Sequence, residues 1–332
     1  MFNVALLGAG RIGQIHAGNI AAHLDCRLVR VMDVYAPAAQ ALAAKYGAQV
    51  STLDQVLNDD NVDIVAICSA TDTHADLIEA AARAGKAIFC EKPVDLSLER
   101  VERCLATVRE ADVPLMIGFN RRFDPSMAGL QQSLVNGEIG NTELVTISSR
   151  DPAAPSADYV KTSGGLFRDM TIHDLDMARW LLQEEPVSVF ASASSLVDPE
   201  IKAAGDVDTA VITLTCASGK IAVITNSRRA SYGYDQRIEV HGSKGMLAVA
   251  NHPESSLIKS VAEGVVAQKP MHFFLQRYGD AYRLELGGLI EHLKNGTAIH
   301  PSGEDGLQAL LLADAALESL RTGKAVQPGN RV

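Results

Sequence analysis

The spacing of hydrophobic residues in this chain changes about a third of the way along. In the first part, short apolar runs alternate with Ala-rich segments of helical period. The runs are NVALLG (3–8), RLVRVMD (27–33), VDIVAIC (62–68), KAIFC (86–90) and PLMIGF (114–119). Continuous apolar runs of this length read as strands buried on both faces. The helical patterns between them cover 36–46, 75–84 and 97–111. Strand–helix alternation with right-handed crossovers predicts an α/β domain with a doubly wound parallel sheet over 1–122.

From 123 to 332 the pattern is different. TELVTISSR, SVFASASSL, DTAVITLTC, KIAVITNS, RIEVHG and MLAVAN alternate apolar and polar residues, as strands with one wet face do. The turn-like ASGK (217–220) and GSKG (242–245) suit antiparallel hairpins. Helical patterns recur at 170–183, 274–294 and 304–322. The prediction is an α+β domain built on a large open, mostly antiparallel sheet.

The first strand runs directly into Gly8, Gly10 and Gly13, a G-x-G-x-x-G turn at the mouth of a helix. Gly8 permits the tight turn, Gly10 lets the backbone approach a pyrophosphate, and Gly13 lets helix and strand pack closely. The helix start, at Arg11 and Ile12, offers amide N–H groups to the anion. Asp33 closes the second strand 20 residues after Gly13, where an acid accepts from the ribose hydroxyls and repels a 2′-phosphate. The spacing predicts NAD in preference to NADP, with Arg11 and Arg30 as nearby basic residues that weaken the preference. In an open α/β sheet, ligands lie beyond the carboxyl ends of the strands. That rule brings in Ser69, Thr71 and His74 after the third strand, and Glu91 and Lys92 after the fourth.

Composition narrows the function without choosing it. The net charge of −10 and the lack of a Lys/Arg-rich run argue against nucleic acid. No stretch of 18 uninterrupted apolar residues suggests a membrane span. The five cysteines are scattered and contain no CxxC pair, which suits reduced thiols in a cytoplasmic protein.

Two further places carry chemistry. Lys92 follows a buried strand and precedes Pro93, so its ammonium is expected at the cofactor site, where it would stabilise alkoxide charge. In GGLFRDMTIHDLDMARW (164–180), Asp169 and His173 stand four residues apart, on one face of a helix. A metal site would need a third and fourth ligand, and no distant cluster supplies them, so no metal is expected. A helix capped by Thr171 or Asp169, with Ile172, Leu175, Met177, Trp180 and Leu181 as its apolar face, is compatible with function. Proton handling is the chemical reading: His173 as base and Asp169 as its orienting partner.

The segments VALLGAGRIGQIHAGNI, SATDTHADL and EKP, followed by GGLFRDMTIHDLDMARWLL, resemble the glucose–fructose oxidoreductase/inositol dehydrogenase (Gfo/Idh/MocA) family. GFNRRFDPS and SRRASYGYDQRIEVHGSKG look more narrowly like its bacterial inositol 2-dehydrogenases. The resemblance covers nearly the whole chain in order. It implies a Rossmann domain followed by an open-sheet domain, commonly in a homotetramer. It also implies a catalytic trio of Lys92, Asp169 and His173, with Arg122, Asp151 and Tyr234 towards substrate and Tyr232 a near alternative to Tyr234. The implied reaction is NAD-dependent oxidation of myo-inositol to 2-keto-myo-inositol. Other cyclitols or sugars (scyllo-inositol, D-chiro-inositol, a pyranose) are alternatives, as is a non-catalytic NAD-binding sensor.

Overall fold

The computed structural model describes residues 1–329. By backbone proximity the chain divides into two units. Met1–Phe123 and Ala281–Leu310 form the first; Asp124–Asp280 and the chain from Leu311 onward form the second. The single boundary after 122 expected from sequence therefore needs correcting for one segment: 281–310 returns to the first unit.

In the first unit, β1 (Phe2–Leu7), α1 (Arg11–Ala22), β2 (Cys26–Met32), α2 (Ala36–Tyr46), β3 (Gln49–Val50) and α3 (Leu53–Leu57) come first. They are followed by β4 (Ile64–Ile67), α4 (His74–Arg83), β5 (Ala87–Glu91), α5 (Leu98–Ala111) and β6 (Leu115–Gly118). The sheet order is β3-β2-β1-β4-β5-β6, and every neighbouring pair is parallel. The order reverses direction at β1/β4, so the ends of β1 and β4 flank the switch point where such sheets bind ligands. All four residues of β4 are buried, as a central strand covered on both faces requires. Ser97 caps α5 by accepting from the Arg100 N–H.

The second unit opens with α6 (Pro125–Val135), capped by Asp124, and continues through β7 (Thr142–Arg150), α7 (Ala157–Ser163) and α8 (Ile172–Leu182). Next come β8 (Pro186–Ser194), α9 (Pro199–Ala203), β9 (Thr209–Cys216), β10 (Ile221–Ser227), β11 (Asp235–Gly242) and β12 (Gly245–Val249). The hairpin β13 (Ile258–Val261) and β14 (Gly264–Ala267) leads to α10 (Phe274–Arg277); α11 (Gly279–Asn295) then returns to the first unit, and α12 (Gly303–Thr322) begins there and ends in the second. The large sheet runs β12-β11-β7-β10-β9-β8, antiparallel except for the parallel β7–β10 pair.

Alternation along these strands sorts the two faces. Val145, Ile147, Ala222 and Ile224 are buried beneath α8, nine of whose eleven residues are themselves buried, and Ile212 and Leu214 are buried on the same face of the sheet. The other face stays open: Leu144 pairs with Ile221, Phe190 with Thr213, and Val211 with Thr225, all turned away from that core. α8 does not start as expected. A π turn, Phe167–Thr171, precedes it. The Thr171 hydroxyl donates to Asn226 Oδ1 at 2.6 Å and does not cap the helix.

Candidate active site

At the cofactor end, two glycines are required by contact. Gly8 has φ +100°, and a Cβ there would lie 2.5 Å from the Cys68 carbonyl oxygen. A Cβ on Gly13 would lie 1.9 Å from the Gly8 oxygen, so only glycine lets α1 pack this closely on the turn. Gly10 differs: a Cβ there would meet no atom within 4 Å, and the residue is exposed. That open space lies at the N-terminus of α1, whose first turn has no side-chain cap. The uncapped amides of Arg11, Ile12 and Gly13 fit a pyrophosphate. Asp33 accepts from Ala9 N at 2.6 Å and from Tyr35 N at 2.8 Å, which fixes its carboxylate beside the glycine turn. Arg30 is committed elsewhere, donating twice to Asp59 (2.7 and 3.0 Å). That guanidinium pulls the Asp59 carboxyl down to about 2. An acid at 33 and a sequestered Arg30 match the expectation of NAD.

Beyond β4, Ser69 Oγ shares a hydrogen bond with Thr73 Oγ1 (2.7 Å), and Thr71 opens a single 3-10 turn. His74 holds the loop after β4 from within. It is 2 % exposed. Its Nδ1 donates to the Pro93 oxygen at 2.7 Å, and its Nε2 lies 3.1 Å from the Ser69 oxygen. The ring therefore ties the loop after β4 to the turn after β5. That turn carries Glu91 and Lys92, both half-buried, and Glu91 Oε1 meets His16 Nε2 at 2.7 Å. Arg122 is also held within the first unit, donating to Asp305 Oδ1 at 2.9 Å.

In the second unit the π turn brings Asp169 into a polar group. Tyr159 on α7 donates its hydroxyl to Asp169 Oδ1 at 2.9 Å. Burial and the Asp169 charge push the Tyr159 phenol well up, so it remains a donor. Arg228, 2 % exposed, lies 3.3 Å from Asp169 Oδ2 and 3.8 Å from Asp151 Oδ2. One guanidinium thus faces both acids, which the ends of β7 and the π turn would otherwise leave in mutual repulsion. Behind them, Asn226 donates to the fully buried Asp174 at 2.7 Å while accepting from Thr171. His173 follows on the first turn of α8, half-buried. The widened π turn sits where such irregularities often mark functional positions.

The structure thus groups Asp151 and Asp169 through Arg228, a residue that sequence reasoning missed. Tyr159 was missed as well. The two tyrosines weighed for substrate differ clearly. Tyr234 is buried edge-on against Phe273 and Tyr278, both 6.0 Å away. Tyr232 is 43 % exposed, but its hydroxyl donates to Asp235 (2.6 Å) and accepts from Arg150 (3.0 Å).

Comparison with known proteins agrees with these features. Residues 2–119 match the model of an oxidoreductase family with an NAD-binding Rossmann fold, and 127–248 match the GFO/IDH/MocA C-terminal domain. The inositol 2-dehydrogenase of Rhizobium meliloti is 54% identical over 316 residues, 95% of this chain and 96% of that protein. The myo-inositol 2-dehydrogenase of Thermotoga maritima is 46% identical, covering 98% of each chain. The crystal structure of a myo-inositol dehydrogenase from Corynebacterium glutamicum superposes with a TM-score of 0.95 at 44% identity, over 100% of both chains. With the glycine turn, Asp33 and the Asp169–His173 segment in place, the chain belongs to the GFO/IDH/MocA family of NAD-binding oxidoreductases.

Proposed function

We propose that this chain is an inositol 2-dehydrogenase that oxidises myo-inositol at C2 to 2-keto-myo-inositol. One observation carries the reading: likeness to inositol 2-dehydrogenases runs along nearly the full length of a chain that has Lys92, Asp169 and His173. Bound NAD supplies the hydride acceptor for the carbinol carbon. The chain's own residues handle the oxygen and its proton. His173 takes the hydroxyl proton, a task suited to a neutral imidazole near pH 7. Lys92 donates a hydrogen bond to the same oxygen and stabilises its growing negative charge. Asp169, braced by Tyr159 and Arg228, orients the substrate and favours the imidazolium that forms. Asp151 binds a further hydroxyl, with Arg122 and Tyr234 contributing the little surface they expose. A site that pairs each hydroxyl rejects analogues that lack one.

NADH formation across a panel of cyclitols and sugars, run with NAD and with NADP, tests the reading. Turnover is expected to be fastest with myo-inositol and NAD. Preference for a pyranose, or no turnover of any cyclitol, would refute it.

The open face of the large sheet, with Leu144, Phe190, Val211 and Ile221 exposed among threonines, supports a homotetramer in which that face is covered. Light scattering on the purified protein tests the assembly. All five cysteines are buried free thiols, which supports a reducing, cytoplasmic location. Among the described residues, no helix is long and apolar enough to cross a membrane.

A further inference from the structure

Inside the first unit, three ionisable side chains converge from distant parts of the sequence. His16 comes from α1, Glu91 from the end of β5 and Glu285 from α11. His16 Nε2 lies 2.7 Å from Glu91 Oε1 and 3.6 Å from Glu285 Oε1. The three side chains are 2 %, 12 % and 0 % exposed. Neither carboxyl oxygen of Glu285 has a hydrogen-bond partner among the described residues. The imidazole is otherwise enclosed by rings, with Phe89 at 4.9 Å and Tyr282 at 5.8 Å.

Two carboxylates and a neutral imidazole would place two uncompensated charges where little can solvate them. An imidazolium, one carboxylate and one neutral acid leave no net charge. The geometry decides which acid keeps the proton. Glu91 holds the His16 nitrogen at hydrogen-bond distance, whereas Glu285 is fully buried with no donor. Burial, then the charge of Glu91, raise Glu285 well above the usual carboxylate range. The other groups around it are Cys68 beyond β4, a neutral thiol raised by burial and both carboxyls, and Tyr282 on α11 itself. A metal ion fits less well. Two donors on a tetrahedral zinc lie about 3.3 Å apart, and the 2.7 Å between His16 and Glu91 is a hydrogen bond.

We propose that His16 and Glu285 are positioning residues for Lys92: His16 anchors Glu91, and Glu285 stays a neutral acid so that it does not compete for the same imidazole. An ionised Glu285 would draw His16 off Glu91 and loosen the backbone that leads directly into the lysine. The proposal rests on the role given above to Lys92.

Two measurements test it. Infrared spectra of the substrate-free protein at neutral pH should show the carbonyl stretch of a protonated carboxylic acid, and Glu285→Gln should remove it. No such band, or a stoichiometric metal ion in the parent protein, overturns the neutral acid. In kinetics, His16→Phe should lower kcat about tenfold, the scale of a small misplacement of a reacting group, with the NAD dissociation constant unchanged. His16→Gln, which keeps a donor for Glu91, should restore most of the loss. Unchanged kcat in His16→Phe, a matching loss of NAD affinity, or no rescue by Gln overturns the positioning role. The infrared result needs no substrate, so an error in the inositol assignment would show in the substrate panel and leave that result standing.

Discussion

Arg228 and Asp169 stand 3.3 Å apart, and the same guanidinium faces Asp151 at 3.8 Å. Removing one partner of such a buried pair leaves the others uncompensated. Arg228→Met should therefore lower stability by up to about 3 kcal/mol, the low end for breaking a buried ion pair, because both carboxylates retain some solvent. It should also cut kcat/KM with inositol more than Arg228→Lys does. Urea unfolding together with steady-state kinetics checks this. Wild-type kcat/KM in the Met variant would show that Asp169 needs no such brace.

Asp33 accepts from the Ala9 and Tyr35 backbone N–H groups, which fixes its carboxylate beside the glycine turn. Asp33→Ser should raise the KM for NAD by about tenfold, the cost of a hydrogen bond to a charged group. It should also admit NADP, because the charge that repels a 2′-phosphate is gone. Initial rates with both cofactors decide it. A variant that still refuses NADP would move the discrimination to another residue.

The glycine turn was legible in the sequence because its close backbone contacts at Gly8 and Gly13 admit no side chain. The helix over 36–46 was legible because Ala-rich periodicity and the following Gly47, in the left-handed region, agree. Other features depend on distance along the chain. Arg228 reaches Asp169 across 59 residues, and nothing local in SRRAS separates it from Arg229. Glu285 lies in a helical pattern where a glutamate reads as surface, yet it is fully buried beside residues from α1 and β5. The same long-range packing brings 281–310 back to the first unit. The π turn before α8 has no signature in a 3.6-residue period. The hairpin β13–β14 is exposed along its whole length, so it lacks the in–out alternation that marks a strand.

His173 and Lys92 are assigned different tasks on one oxygen, and their variants should separate accordingly. His173→Ala should lower kcat by about 10²- to 10⁴-fold, the range for losing a general base, with NAD affinity little changed. Lys92→Arg should alter the pH dependence of kcat, because a guanidinium stays charged throughout. Fluorescence titration of NAD and pH–rate profiles are the measurements. A parallel loss of NAD binding in His173→Ala, or an unchanged profile in Lys92→Arg, would remove the respective role.

Asp235 gives the fold an acid-sensitive point. Burial works against its charge, but Arg237, Tyr232 and Asn251 outweigh it and hold the carboxyl at about 2, against 3.8 normally. Arg150 adds a contact at 2.8 Å. A carboxyl depressed in the folded state stabilises above its unfolded value, and the contribution fades as pH falls through the folded one. The Asp235 contribution is therefore complete above about pH 4 and lost by about pH 2. A shift of this size is worth about 2 kcal/mol, with no discount for screening at a side chain 1 % exposed. Asp235→Asn should thus be less stable than the parent by about that amount at pH 7. The gap should narrow towards pH 2 in urea titrations. A gap that stays constant from pH 7 to pH 2 would mean that the asparagine disturbs packing and that the charge contributes nothing.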